Sequence, residues 1–151
     1  MSESLLSIKD LCVDFSTPEG VVRAVNNISF DVPMGKTVGL VGESGSGKSV
    51  TALAAMRLIP NPPGLITNGQ ILMNGEDLVQ ATEARMRQIR GNDIAMIFQE
   101  PMTSLNPVFK VGMQISESLI LHMGMTKKQA WERSVEPVSY THLTLPTKRI
   151  V

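Results

Sequence analysis

Hydrophobic and polar positions change their period several times along the chain, and each change marks an element. Ile8, Leu11, Val13 and Phe15 stand among Lys9, Asp10 and Asp14 in rough alternation, which predicts a half-buried strand. Thr17-Pro18-Glu19-Gly20 is a turn by its Pro and Gly content, and residues 21–25 and 28–32 continue the strand pattern. After a second turn at Pro33-Met34-Gly35-Lys36, residues 37–41 are almost wholly apolar, the composition of a strand buried on both faces. Residues 48–58, rich in Ala, Leu and Met, predict a helix that the proline-rich run at 60–64 stops, because proline lacks the N–H a helix needs. Residues 68–78 read as a short strand leading into a glycine turn, 83–90 as a short basic helix, and 94–98 as a second buried strand. Val111, Ile115, Leu119 and His122 or Met123 share one helical face. Thr126-Lys127-Lys128-Gln129 has the capping-box form, so a further helix starts there and runs through Trp131, with Pro137 interrupting it soon after. No internal repeat is present.

Composition narrows the class. With 151 residues the chain suits one domain with a real core. The 14 Lys+Arg balance 14 Asp+Glu, which excludes a strongly basic nucleic-acid binder working through its bulk field. A single Cys12 excludes an internal disulfide framework and fits a reducing compartment. No apolar run approaches the ~18 residues of a bilayer span, and Met1-Ser2-Glu3-Ser4 lacks a signal-peptide n-region. The expectation is a soluble cytoplasmic protein.

The decisive chemistry lies in Gly42-Glu43-Ser44-Gly45-Ser46-Gly47-Lys48-Ser49, which fits the G-x-x-x-x-G-K-[ST] phosphate loop. Glycines let several backbone N–H groups approach phosphate oxygens without a clashing Cβ. The helix starting at Lys48 points its positive end at the same anion. Lys48 can reach the β- and γ-phosphates, and the Ser49 hydroxyl can coordinate Mg²⁺. An apolar run before the loop and a helix after it supply the context this motif requires.

The residues around that loop select a family. The loop, Gly69-Gln70-Ile71-Leu72-Met73-Asn74-Gly75-Glu76-Asp77-Leu78, and Ile97-Phe98-Gln99-Glu100-Pro101 together resemble the nucleotide-binding subunits of ATP-binding-cassette (ABC) transporters over residues 5–136. The run from Phe98 to Pro107 is most similar to the branch importing oligopeptides, dipeptides and nickel. The resemblance implies an α/β P-loop NTPase fold, here a nucleotide-binding-domain fragment with an N-terminal antiparallel β subdomain, an incomplete core sheet and the start of the helical subdomain. It implies ATP and Mg²⁺ as ligands. Gln99 would be the glutamine that contacts Mg²⁺ or the attacking water, acting in catalysis beside Lys48. Phe15 stands where such subunits place an aromatic to stack on adenine; Tyr is commoner there, and a core phenylalanine on an alternating strand is the other reading. The implied partners are a second nucleotide-binding subunit, two membrane permease subunits and an extracytoplasmic substrate-binding protein, with no nucleic acid. The implied location is peripheral, on the cytoplasmic face of the cell membrane.

Other side chains are expected to be structural. Cys12 reads as a small buried hydrophobe, His122 as structural or solvated, and Arg85, Arg87 and Arg90 as a solvated charged face. No Leu-Ser-Gly-Gly-Gln signature, no apolar strand ending in Asp-Glu and no switch histidine follows Gln99. Residues 138–147 (Val-Ser-Tyr-Thr-His-Leu-Thr-Leu-Pro-Thr) resemble one reading frame of a sequencing-library adapter, so 137–151 is read as a non-native tail and 1–136 as the N-terminal part of the domain. Such a chain is expected to bind ATP weakly at best and not to turn it over. A P-loop kinase or GTPase fits less well, since no Asn-Lys-x-Asp guanine motif is present. A non-transport ABC-type ATPase and a non-functional gene fragment are the remaining alternatives.

Overall fold

A computed structural model of the chain describes residues 4–98 and 105–140, with side chains through residue 135. The chain forms two compact units, residues 1–90 and 91–151.

The first unit is built on a four-stranded antiparallel sheet in the order β2-β1-β3-β4, from β1 (Ser4–Thr17), β2 (Gly20–Pro33), β3 (Gly64–Met73) and β4 (Glu76–Asp77). β1 is central, and its alternation is not regular. Between the pairs Ile8↔Phe30 and Leu11↔Ile28, β1 carries one residue more than β2. The bulge falls at Asp10, whose φ is +49°. The Ser29 hydroxyl accepts from the Asp10 N–H at 2.8 Å and donates to Asp10 Oδ1 at 3.2 Å. On the other flank Gly69 makes room: a Cβ there would lie 2.5 Å from the Lys9 carbonyl oxygen. The extra residue resets the period, so Ile8 and Leu11, three positions apart, are both buried. Asn74 and Gly75, both at positive φ, turn β3 into β4, which suits the positive φ angles an Asn-Gly hairpin turn requires. Ile8, Leu11, Val13, Ile71, Leu78, Met86 and Ile89 form the buried core of this unit with Ala54.

Two helices complete the unit. α1 (Lys48–Ala55) ends three residues earlier than its composition suggests. Arg57 takes φ +51°, the Arg57 N–H donates to the Ala54 carbonyl at 2.9 Å, and the Leu58 N–H reaches back to the Leu53 carbonyl at 2.8 Å. That pair of bonds is the Schellman stop, usually made with glycine at the left-handed position. The chain therefore leaves the helix before Pro60 can break it. α2 (Glu83–Ile89) starts on Thr82, whose hydroxyl accepts from the Arg85 N–H at 3.2 Å.

In the second unit α3 (Val111–Met123) and α4 (Lys127–Tyr140) pack on each other. Gly112 is a point of close approach, since a Cβ there would lie 2.5 Å from the Trp131 ring. The capping box forms as its residue types require: the Thr126 N–H donates to Gln129 Oε1 at 3.0 Å, and the Gln129 N–H donates to the Thr126 hydroxyl at 3.4 Å. Contrary to expectation α4 continues through Pro137 to Tyr140. A proline inside a helix removes one hydrogen bond and crowds the carbonyl four residues back, at a cost of about 3 kcal/mol, and the helix runs past it all the same.

Two expected strands are not formed. Residues 37–41 and 94–98 carry no strand, apart from an isolated bridge residue at Ile94, and Val41 and Ile97 are 93% and 98% exposed. A strand buried on both faces exists only between two neighbouring strands, and the sheet β2-β1-β3-β4 formed by the described residues includes neither segment.

Candidate functional site

The phosphate loop joins an exposed segment to the first turn of α1, and its conformation follows from its glycines. Gly45 and Gly47 have φ of +81° and +87°, where a side chain is strained. Gly47 is also the residue before the helix, and it sits against β2: a Cβ there would lie 2.4 Å from the Ala24 carbonyl oxygen and 3.4 Å from Val25 Cγ2. The motif's glycine thus seats the start of α1 directly on the sheet. A Cβ on Gly42 would come within 2.7 Å of Ser46 Oγ, so the loop closes tightly on itself. The turn is held by the Ser46 N–H donating to the Glu43 carbonyl at 3.3 Å.

Lys48 folds over this loop. Its ammonium donates to the Gly42 carbonyl at 2.7 Å, the Glu43 carbonyl at 2.6 Å and Ser46 Oγ at 3.0 Å. An ammonium has three donors, and these acceptors match them. The positive charge is thereby fixed above the first turn of α1, whose leading N–H groups have no intrahelical acceptor. Thr51 closes that turn, its N–H and hydroxyl both donating to the Gly47 carbonyl at 2.8 and 2.9 Å. Glu43, Ser44 and Ser49 are exposed, so the loop opens to solvent, and Ser49 presents its hydroxyl on the first turn beside Lys48. A cation, a helix start and glycines without Cβ atoms are the parts from which a polyphosphate site can be built.

Phe15 lies at the end of β1, paired with Val22 of β2 and Gly64 of β3. Val22 is two residues from Ala24, on which Gly47 sits, so the aromatic stands roughly 7 Å along β2 from the base of the phosphate loop. The ring is half-buried and lies on Gly64, where a Cβ would be 2.8 Å from Phe15 Cε1 and 2.3 Å from Ile59 Cγ2. Phe15 thus packs within the sheet, two strand positions from the residue on which Gly47 rests. Beside it Arg23 grips Asp14 with two bonds of 2.9 and 3.1 Å, which hold the Asp14 carboxyl below the usual carboxylate range, against a smaller opposing effect of burial.

Gln99 lies outside the described residues. Cys12 is buried, its sulfur accepting from the Asn27 N–H at 3.3 Å. Among the described residues no group of three or more His, Cys, Asp or Glu side chains is placed to hold a metal ion, and no helix is long and apolar enough to cross a membrane. Gly64 and Ala24, which shape the aromatic's seat and the loop's footing, carry no signal in the sequence, since their roles come from pairing across strands. The expectation of a solvated arginine face also fails at Arg90, whose side chain is 21% exposed and hydrogen-bonded to main chain and to Glu83.

Residues 25–147 match the ABC transporter family. The chain belongs to that family. It is 49% identical to the oligopeptide transport ATP-binding protein OppD of Bacillus subtilis over 146 residues, covering 97% of this chain and 41% of that protein. It is 44% identical to the dipeptide transport ATP-binding protein DppD of the same organism and 44% identical to OppD of Escherichia coli, covering 44% of each. This ABC transporter chain therefore spans less than half the length of these relatives. Its fold is that of the bacterial ABC transporter cassette MJ0796, with a TM-score of 0.72 at 21% identity over 87% of this chain and 54% of that one. The partial cassette seen here, an antiparallel sheet with the phosphate loop and a helical hairpin, is the ABC ATPase fold.

Proposed function

We propose that this chain is the nucleotide-binding N-terminal part of a subunit that hydrolyses ATP to power import of oligopeptides, dipeptides or nickel across the cytoplasmic membrane. The observation that carries the reading is the Lys48 ammonium, fixed by Gly42, Glu43 and Ser46 above the open first turn of α1. The cradle fits ATP. Its donors are main-chain N–H groups and one cation, the set that a triphosphate needs, and a Cβ at Gly47 would have no room beside the Ala24 carbonyl. Gly42, Glu43, Ser44, Gly45, Ser46 and Gly47 would wrap the phosphates, while Lys48 would exchange its contacts with the loop for the β- and γ-oxygens as charge builds on them. Phe15, near the same end of the sheet, would stack on the adenine. Ser49 and Gln99 would hold Mg²⁺, which when bound neutralises charge on the phosphates. Peptide specificity is supported by the names of relatives that are 44–49% identical.

Two such subunits would close on ATP and drive a pair of permease subunits between their two states, fed by an extracytoplasmic binding protein. In that arrangement the protein would sit on the cytoplasmic face of the membrane. On this reading residues 137–151 are a non-native tail and the 151-residue chain alone does not turn over ATP. The family match runs on to residue 147, so amplifying the chromosomal locus beyond codon 136 decides the boundary: the reading expects a frame that continues to a signature and an Asp-Glu strand end, and a stop codon directly after Val151 overturns it. In the full-length protein Lys48→Ala should reduce ATPase activity by about a hundredfold or more, the usual scale for removing a transition-state electrostatic partner. Turnover at the unaltered rate defeats the assignment.

A further inference from the structure

At the end of α1 away from the phosphate loop, the chain is held by a pair of arginines. Arg90 follows α2, and its guanidinium donates through Nε to the Met56 carbonyl at 2.8 Å and through Nη2 to the Arg57 carbonyl at 3.0 Å. Its third arm, Nη1, donates to Glu83 at 2.7 Å. In return Arg57, just past the end of α1, donates through Nη1 to the Ala81 carbonyl at the start of α2. The end of each helix is thus bonded to the other. The Schellman bonds satisfy Leu53 and Ala54 and leave the following carbonyls exposed to whatever lies beyond. Arg90 supplies that partner with two prongs of one rigid fork, and its charge complements the negative end of the helix.

From this geometry we infer that Arg90 is a positioning residue of the nucleotide site, acting through α1; the inference rests on the phosphate-loop reading above. α1 has eight residues, about 12 Å at 1.5 Å per residue. Lys48 and Ser49 lie in its first turn, and Arg90 holds the carbonyls of Met56 and Arg57, the two residues that directly follow its last turn. So short a helix has little stability of its own. At the loop end Gly47 rests on the Ala24 carbonyl; at the far end the arginine fork fixes the axis. Loss of the fork lets α1 fray and tilt, which shifts the first-turn N–H donors relative to the phosphates.

The test uses the full-length protein, with MgADP as probe and calorimetry at a temperature where circular dichroism shows each variant folded. Arg90→Met keeps the length of the stem and removes the fork. It should raise the Kd roughly tenfold, the worth of one well-aimed hydrogen bond to a charged group, and speed hydrogen exchange at the amides of α1. Arg90→Lys, with one point-like donor group in place of two prongs, should lie between. Glu83→Gln removes the ion pair but leaves both carbonyl contacts, and should bind within about twofold of wild type. A merely structural Arg90 would lower the melting temperature and leave the Kd of the folded protein alone. An unchanged Kd in Arg90→Met, or in Arg90→Lys if the methionine variant does not fold, overturns the inference while leaving the phosphate loop intact. Failure of the wild type to bind MgADP overturns the nucleotide reading, and the role of Arg90 with it.

Discussion

At the residue scale, the side chains that hold this protein's shape near the site do so by local chemistry of different kinds. Gly47 is needed twice: its φ of +87° suits only a residue without Cβ, and the Ala24 carbonyl occupies the space a Cβ would take. Asp14 shows the electrostatic kind. Its two bonds to Arg23 and a weaker one from the Thr67 hydroxyl at 3.4 Å lower its pKa in the folded chain. Glu76 and Glu83 are lowered in the same way, by Arg85 and Arg90. A carboxyl whose pKa falls on folding is ionised in the native state over a range where the unfolded chain binds a proton. Its stabilisation is therefore complete above the unfolded value of about 4 and is lost as pH drops through the lower folded value. Thermal midpoints should accordingly be flat above about pH 5 and fall below about pH 4, and Asp14→Asn should shallow that fall. An identical acid slope in the variant would mean the Arg23 pair contributes nothing to it.

At the scale of elements, the sequence is legible where structure is decided by near neighbours. The capping box is the clearest instance: Thr126 and Gln129 are three residues apart, and their reciprocal bonds start α4 where their types require. Thr126→Ala should cost about 1 kcal/mol of α4 stability, read as faster hydrogen exchange at the Ala130 amide, whose bond is to the Thr126 carbonyl at 2.9 Å. Thr126→Ser should restore protection; equal exchange in wild type and the alanine variant would show that the cap is idle. The phosphate loop is legible for the same reason, since its glycines, Lys48 and Ser49 act within eight consecutive positions. Legibility fails where the decision is made across the fold. The bulge at Asp10 depends on Ser29 and Gly69 of the neighbouring strands. The stop at Arg57 is hidden because a non-glycine residue adopts the left-handed turn and a distant Arg90 takes up the carbonyls that follow. Phe15's seat on Gly64 is likewise a contact between strands, not a pattern within one.

On the scale of the whole molecule, residues 37–41 and 94–98 expose a conflict between composition and environment. Their apolar runs are those of buried strands, yet Val41 and Ile97 face solvent almost completely. Exposed apolar segments with unpaired backbone groups favour association. Burying one such side chain is worth about 1.5–3 kcal/mol, so the two together offer a large gain to any neighbour that covers them. The consequence has opposite signs in two contexts. In the 151-residue chain, Val41→Thr with Ile97→Lys should raise the concentration at which sedimentation still finds a monomer, because it removes the sites of association. In a protein of the length of the relatives, where we propose that these segments lie inside the completed sheet, the same pair should lower stability by several kcal/mol, since a buried lysine without a partner is strongly disfavoured. If the substitutions improve or leave unchanged the melting temperature of the longer protein, then these segments are surface in both contexts and their apolar runs do not mark the core of the cassette.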